Sequence, residues 1–227
     1  MDDRGRGPTG AAMRRALRLV VRRGLRGVWL RGRLPPGPFV WAANHHSWWD
    51  PFVAMVLLHR SHRCPCVLML QRQLDRYPFA RSLGMFGTAE PRRGLACLGE
   101  GRVLVIYPEG GLRPAGPPGE LAGGAAWYAT RAGVPLCAGA ARVLMRGQQA
   151  PEAYVWVAVV PDGGGEGTAT LTARLARQLA DQLDELERLN ATADPRTALP
   201  GFALVVAGRR SWDERVDRAA RWLPWPR

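Results

Sequence analysis

A histidine and an aspartate stand close together in segment 44–50, Asn-His-His-Ser-Trp-Trp-Asp, directly after the apolar run Phe39–Ala43. A neutral histidine accepts a proton from a hydroxyl near pH 7, and a neighbouring carboxylate fixes its tautomer and stabilises the imidazolium that forms. If His45 ends a strand and Asp50 begins the next helix, the helix dipole favours the carboxylate and the two side chains meet across the turn. The pair predicts general-base chemistry, and a packed histidine at the edge of a core is the alternative.

A second polar segment, 107–113, Tyr-Pro-Glu-Gly-Gly-Leu-Arg, follows another apolar run at 102–106. Glycines such as Gly110 and Gly111 let the backbone approach a ligand closely. A guanidinium such as that of Arg113 offers a planar fork that suits phosphate. Taken alone, a glycine-rich turn with an exposed arginine explains the same residues.

Together the two segments resemble the glycerophospholipid acyltransferase family, whose type member is lysophosphatidate acyltransferase. The residues that carry the resemblance are Asn-His-x-Ser-Trp-x-Asp, followed by Tyr-Pro-Glu-Gly. The resemblance covers roughly residues 39–141. It implies acyl transfer with His45 as the general base and Asp50 as its orienting partner. It also implies that the loop from Glu109 to Arg113 forms part of a glycerol-phosphate site.

Three departures from the family pattern concern the substrate pockets, the first two the acceptor phosphate and the third the acyl or the acceptor pocket. The acidic loop continues Gly-Gly-Leu-Arg where the family usually has Gly-Thr-Arg, so Arg113 is displaced and a hydroxyl is missing. The Gly-x-Phe block at 84–93 reaches its arginine late, which makes Arg92 or Arg93 the implied phosphate ligand. The later apolar block, 134–140, lacks the second proline. A different acceptor, such as a glycolipid, carotenoid glycoside or aminoacyl lipid, therefore stays open.

The resemblance implies a reaction that needs no cofactor beyond its co-substrate. We expect a fatty acyl group to pass directly from acyl-CoA or acyl carrier protein to a hydroxyl of a lysophospholipid acceptor, without an acyl-enzyme. Backbone N–H groups of the His-Asp turn or of the glycine loop are the expected donors to the oxyanion. A third well-spaced ligand beside His45, His46 and Asp50 is not apparent in the sequence, so we expect no metal.

The balance of charge is strongly positive. The chain has 32 Lys+Arg against 19 Asp+Glu, a net charge of +13, and all of its basic residues are arginine. This charge predicts attraction to nucleic acid or to an anionic membrane surface. No zinc-finger spacing or RNA-binding aromatic motif occurs, so we expect a membrane partner and no nucleic acid. Outside the enzyme class, a non-catalytic lipid-surface binding protein remains the alternative.

Arginines alternate with apolar residues at helical spacing over 13–34, after a Gly-, Arg- and Asp-rich stretch at 1–12 that we expect to be disordered. The pattern predicts a basic amphipathic helix, interrupted by charge too often to span a bilayer and suited to anionic headgroups. A helix docked on its own domain, with its arginines in water, explains the pattern equally well. The membrane interpretation predicts a peripheral or monotopic protein on the cytoplasmic side of the cell membrane.

Strand-like and helix-like runs alternate through the middle of the chain. This alternation predicts one α/β acyltransferase domain over 35–192, with a central, mostly parallel sheet covered by helices on both faces. Leucines from 171 to 189 mark one face of a long helix, which we assign to core packing. Residues 193–227, rich in Trp and Arg, are expected to pack on the domain or at the membrane. The spacing of the four cysteines, Cys64, Cys66, Cys97 and Cys137, predicts reduced thiols.

Overall fold

The fold was described from a computed structural model, which covers residues 8–220 apart from 162, 164 and 166. The helices are α1 (Pro8–Gly24), α2 (Asp50–Arg60), α3 (Gln71–Arg76), α4 (Pro91–Gly99), α5 (Gly124–Ala132), α6 (Thr168–Thr192) and α7 (Trp212–Ala220), with a 3₁₀ helix at Pro78–Leu83. The strands are β1 (Gly27–Gly32), β2 (Phe39–Ala43), β3 (Pro65–Met69), β4 (Met85–Gly87), β5 (Val103–Ile106), β6 (Leu136–Leu144), β7 (Glu152–Val159) and β8 (Ala203–Ala207).

All the strands join one eight-stranded sheet in the order β4-β3-β5-β2-β6-β7-β1-β8. Neighbours from β4 to β6 pair in parallel, as do β7 and β1, whereas β6 with β7 and β1 with β8 pair antiparallel. The predicted α/β class is confirmed, but the sheet is mixed rather than mostly parallel. The reason is the short connection between β6 and β7, because only a longer crossover returns a strand in parallel.

Helices cover both faces of the sheet and bury a core on each. One core lies under α4, α5 and α6 and includes the leucine stripe of α6, namely Leu171, Leu175, Leu179, Leu183, Leu186 and Leu189. The other core lies under α1, α2 and α3. The assignment of the α6 stripe to core packing is therefore confirmed.

The single helix predicted over 13–34 is wrong, because this segment forms two elements. Helix α1 ends at Gly24, which packs so closely on Trp49 that an added Cβ would lie 2.0 Å from the indole ring. Strand β1 follows and pairs in parallel with β7. Helix α1 also begins at Pro8, so residues 8–12 are helical rather than disordered, and residues 1–7 lie outside the described part.

The predicted boundaries of the domain, 35 and 192, also need correction. Strand β1 lies before the first boundary and β8 after the second, yet they pair with each other and complete the sheet. The C-terminal segment is therefore integral to the domain up to β8. Trp212 begins α7, whereas Trp222 and Trp225 lie outside the described residues.

Two of the four cysteines form a disulfide, against the expectation of reduced thiols. Cys66 lies on β3 and Cys97 on α4, and their Cα atoms are 6.6 Å apart, within the range that a disulfide bridges. Cys64 is a free exposed thiol and Cys137 a free buried one. Burial raises the pKa of the Cys137 thiol to about 12.

The parallel half of the sheet positions the polar segments. The carboxyl ends of parallel strands meet at one edge, which is where open α/β sheets place their sites. Segment 44–50 follows β2, segment 107–113 follows β5, and residues 88–93 follow β4. The fold therefore brings all three to the same edge.

Candidate active site

His45 and Asp50 form a hydrogen-bonded pair at this edge. The Nδ1 atom of His45 lies 3.0 Å from Oδ2 of Asp50. The aspartate side chain is 2% exposed and the histidine side chain 19%. A carboxylate accepts only, so Nδ1 carries the proton and Nε2 has a free lone pair. The pair can therefore act as a general base with an orienting carboxylate.

Backbone groups of the turn fix the carboxylate of Asp50. Its Oδ2 atom also accepts the N–H groups of His46, at 2.9 Å, and Ser47, at 2.8 Å. Helix α2 begins at this aspartate, and Pro51 follows in the first turn, where a missing N–H costs nothing. The amides of His46 and Ser47 are thus engaged, so the expectation that the turn itself supplies oxyanion donors does not hold for them.

Glu109 joins the two polar segments. Its Oε2 atom accepts the N–H of His45 at 2.7 Å, and its Oε1 atom accepts the N–H of Gly119 at 2.9 Å. The N–H of Arg113 in turn donates to the carbonyl oxygen of His45 at 2.8 Å. Gly110 turns the loop at φ +70°, a conformation that favours glycine. Both carboxylate oxygens of Glu109 therefore hold backbone of the site itself.

Two residues that the sequence analysis did not assign to the site tie the His-Asp turn to β6. Asn44 accepts the N–H of Ala141 at 2.8 Å and donates to its carbonyl oxygen at 3.2 Å. The Nε2 atom of His46 accepts the N–H of Val143 at 3.0 Å, and burial lowers the pKa of this histidine. The Nε2 atom of His46 is therefore engaged with the backbone of β6. The sequence signal that could have identified Asn44 and His46 is their position inside the motif, on either side of His45.

Tyr107 packs against the ring of His45. Its ring centroid lies 4.5 Å from that of His45, with the two planes inclined by 32°. Its hydroxyl is buried, and burial with the nearby charge of Asp50 raises the pKa of Tyr107 well above 10. The tyrosine therefore stays neutral and keeps a hydrogen that it can donate.

The arginines assigned to phosphate binding fall into two places. Arg113 is exposed beside the pair, where an added Cβ at Gly119 would lie 3.7 Å from its Nε atom. Arg92 and Arg93 lie at the start of α4, and Nη1 of Arg93 bonds Oε2 of Glu90 at 3.3 Å. This helix follows β4, whose end lies three strands from that of β2, about 14 Å along the sheet edge. The structure thus brings Arg113 to the pair and leaves Arg92 and Arg93 further along.

An open groove runs beside the acidic loop. It has a volume of about 620 Å³ and lies between residues 119–123 and the first turns of α6. Its lining residues are small or partly apolar: Gly119, Glu120, Leu121, Gly123, Thr168, Ala169, Thr172, Ala173 and Ala176. The groove begins at the glycine whose N–H is bound by Glu109.

Helix α1 has a buried face and an exposed one. Leu17 and Val21, with Leu25 just after the helix, are buried in the core shared with α2, so the helix is docked on its own domain. Leu19 and Val20 are 48% and 44% exposed among the arginines. Within residues 8–220, as far as they are described, the structure contains no helix with the length and apolar character that crossing a bilayer requires.

Comparisons with known proteins show the family of the chain and a similar fold. The sequence matches a family model described as Acyltransferase over residues 28–142, just over half of the chain. The structure is similar to the crystal structure of the 1-acyl-sn-glycerophosphate (LPA) acyltransferase PlsC from Thermotoga maritima, with a TM-score of 0.56. That similarity covers 71% of this chain and 72% of the other at 16% identity, so it concerns the fold. A search of curated proteins found no match.

Proposed function

The chain belongs to the acyltransferase family, as its resemblance to glycerophospholipid acyltransferases predicted, and we propose that it acylates a lysophosphatidate-like lipid. The acyl group comes from a thioester of coenzyme A or of acyl carrier protein. The observation that carries the proposal is the 3.0 Å contact between His45 and Asp50, with the histidine backbone held by Glu109.

The reaction follows from the orientation of the imidazole. Nε2 of His45 takes the proton of the acceptor hydroxyl as that oxygen attacks the thioester carbonyl. The tetrahedral intermediate then collapses, the C–S bond breaks, and the departing thiolate takes the proton from the imidazolium. Asp50 stabilises the imidazolium between these steps and holds its ring. The ester and the free thiol are the products.

The developing oxyanion requires donors that are not already engaged. Because the amides of His46 and Ser47 serve Asp50, we assign this role to the backbone of the glycine loop, around Gly111. Pre-oriented N–H groups at such a position stabilise a tetrahedral intermediate without reorganisation.

The acceptor phosphate is bound by arginine in this proposal. Arg113 lies beside the catalytic pair and suits a headgroup attached close to the reacting hydroxyl. Arg92 and Arg93 follow β4, further along the sheet edge, and suit a larger or more distant anionic group. The displaced position of Arg113 is also why a glycolipid, carotenoid glycoside or aminoacyl lipid is the second class of acceptor.

The acyl chain is assigned to the groove between residues 119–123 and α6. Its small, partly apolar lining suits a hydrocarbon chain. Its start at Gly119, one hydrogen bond from Glu109, supports this assignment because the thioester must lie near His45.

We assign the protein to the surface of an anionic membrane, on the cytoplasmic side. The exposed residues of α1 support this, since Leu19 and Val20 lie among arginines that attract headgroups. Trp48, three residues from His45, is 60% exposed and packs on Phe52 with ring centroids 4.4 Å apart. An exposed tryptophan at the mouth of the site suits the interface from which a lipid enters.

The test is a product assay. Purified protein is incubated with mixed lysolipids and with acyl-CoA or acyl carrier protein thioesters, and new esters are identified by mass spectrometry. A new diacyl phosphatidate supports the proposal, and a new ester on another lipid favours the second class of acceptor. Normal binding to anionic vesicles without any ester from either donor would instead support a non-catalytic lipid-surface binding protein.

A further inference from the structure

A small cavity lies behind the carboxylate of Asp50. Its volume is about 10 Å³, close to that of one water-sized sphere. The residues that line it are Trp41, Ala43, Asp50, Val53, Ala54, Tyr107, Gly139, Ala141 and Val155. Apart from three of them, these residues are small or aliphatic. The polar atoms of those three decide what the cavity can hold.

Three buried polar atoms belong to the lining residues. They are Oδ1 of Asp50, the hydroxyl oxygen of Tyr107 and Nε1 of Trp41, and none of them has a hydrogen-bond partner among the described residues. Buried polar atoms without a partner are rare, because each loses its hydration without compensation. Three in the lining of one cavity indicate a shared partner. A buried water typically makes about three hydrogen bonds.

Gly139 explains how Trp41 fits at this wall. A Cβ at this position would lie 1.7 Å from Nε1 of Trp41, so any side chain would displace the indole. The glycine thus lets the indole N–H lie against the strand in the wall of the cavity.

We propose that one water molecule binds in this cavity and that Tyr107 positions Asp50 through it. The water accepts the N–H of Trp41, donates one hydrogen to Oδ1 of Asp50 and bonds the Tyr107 hydroxyl with its remaining capacity. All three atoms are then satisfied. The water site is inferred from the cavity and its three unpaired polar atoms, whereas its effect on catalysis rests on the proposed function.

The water completes the coordination of the carboxylate. Oδ2 of Asp50 already bonds His45, His46 and Ser47, so a donor to Oδ1 fixes the plane of the carboxylate and shares its charge. The titratable groups around this carboxylate are His45 and His46 on the loop before α2 and Tyr107 at the end of β5, with Glu109 bound to the His45 backbone. Of these, the tyrosine supplies the polar group on the cavity side.

The first experiment is a crystal structure of the unsubstituted protein, at a resolution that shows buried water molecules. We expect one water within hydrogen-bond distance of all three atoms. A cavity without density would overturn the proposal, and so would a direct bond between the Tyr107 hydroxyl and Oδ1 of Asp50.

The second experiment is kinetic and uses Tyr107→Phe and Trp41→Phe. Each variant removes one partner of the water, so we expect kcat to fall about tenfold with little change in KM, because a hydrogen bond to a charged group is lost. The acidic limb of the pH profile, which reports protonation of the general base, should move to higher pH as the carboxylate loses a donor. Tyr128→Phe removes a buried hydroxyl from the opposite face and should leave this limb in place.

The double variant decides whether the two residues act through one water. If they do, Tyr107→Phe combined with Trp41→Phe should move the acidic limb no further than the larger single change. Additive shifts, or no shift in either single variant, would overturn the positioning role. A protein that transfers no acyl group at all would refute the proposed function, and the crystal structure would still test the water site.

Discussion

The backbone N–H of His45 donates to Oε2 of Glu109 at 2.7 Å, across 64 residues of sequence. This bond joins the loop after β2 to the loop after β5, which are neighbouring parallel strands. Glu109 therefore holds the backbone of His45 against the acidic loop. The Glu109 carboxylate holds His45 from the backbone side, as Asp50 does from the ring side.

Replacing His45 by Ala should lower acyl transfer by about two orders of magnitude or more, because a general base is removed. The side chain is partly exposed and its backbone bonds remain, so the thermal unfolding midpoint should change little. Steady-state rates with the identified acceptor check the loss. Activity within a few fold of that of the unchanged protein would remove this histidine from the mechanism.

Glu109→Gln should destabilise the fold and lower kcat together. Glutamine offers one carbonyl oxygen, so its NH₂ group must face a backbone N–H of either His45 or Gly119, at a cost of about 1–3 kcal/mol. Denaturant unfolding and steady-state kinetics measure the two effects. Glu100→Gln, on an exposed residue just after α4, is the matched control and should change neither. An effect of Glu109→Gln on acceptor KM alone would instead assign the carboxylate to substrate binding.

Arg113→Ala should raise the KM for a phosphate-bearing acceptor, with a smaller effect on kcat, because a charge-assisted contact to the headgroup is lost. Arg131→Ala serves as the control, since this exposed arginine lies in the last turn of α5, which leads to the amino-terminal end of β6. Comparing Arg92→Ala in the same assay tests whether the more distant arginines contribute. An unchanged KM for Arg113→Ala removes it from the phosphate site.

Trp48→Ala should weaken binding to anionic vesicles by about tenfold, since an exposed indole is lost from the apolar surface that enters the interface. Sedimentation with phosphatidylglycerol vesicles measures the effect. Because the α1 arginines attract the headgroups electrostatically, binding should also weaken at high salt. Trp127→Ala, on α5 at the opposite face, is the matched control. Equal losses in the two variants would contradict an interface at the mouth of the site.

Stability should fall in mild acid because of His59. Burial, with the positive charge of Arg14, lowers the pKa of His59 from 6.5 to about 4. Between pH 6.5 and about 4 the unfolded chain binds a proton that the folded protein does not. The free energy of unfolding therefore decreases as the pH falls through this range, and the contribution of the neutral histidine is fully present above pH 6.5. His59→Asn should flatten this dependence in denaturant titrations, whereas His62→Asn, on an exposed turn, should leave it unchanged.

Local sequence was sufficient to predict that the side chains of His45 and Asp50 meet. His45 and Asp50 lie within one strand-to-helix turn, so their meeting depends on residues close in sequence. The roles of Asn44 and His46 depend on β6 residues 97 positions away, and nothing near them in sequence reveals those partners. The burial of the Tyr107 hydroxyl could not be predicted either, because the residues around it come from distant parts of the sequence.

The same distinction separates the elements that were predicted from those that were not. Strand β2 and helix α6 carry complete apolar patterns of their own. Strand β1 follows an arginine-rich helix with only two residues between them, and its apolar residues fit helical spacing equally well. It is a strand because β7 and β8 pair with it, and both lie far along the chain.

Strand β8 closes one edge of the sheet by pairing with β1. It covers the outer side of β1, which would otherwise present a row of unpaired N–H and C=O groups to other molecules. A fragment cut after α6 would keep His45 and Asp50, yet the unpaired edge of β1 would favour self-association. Pairing with β8 thus protects β1 from contact with other molecules.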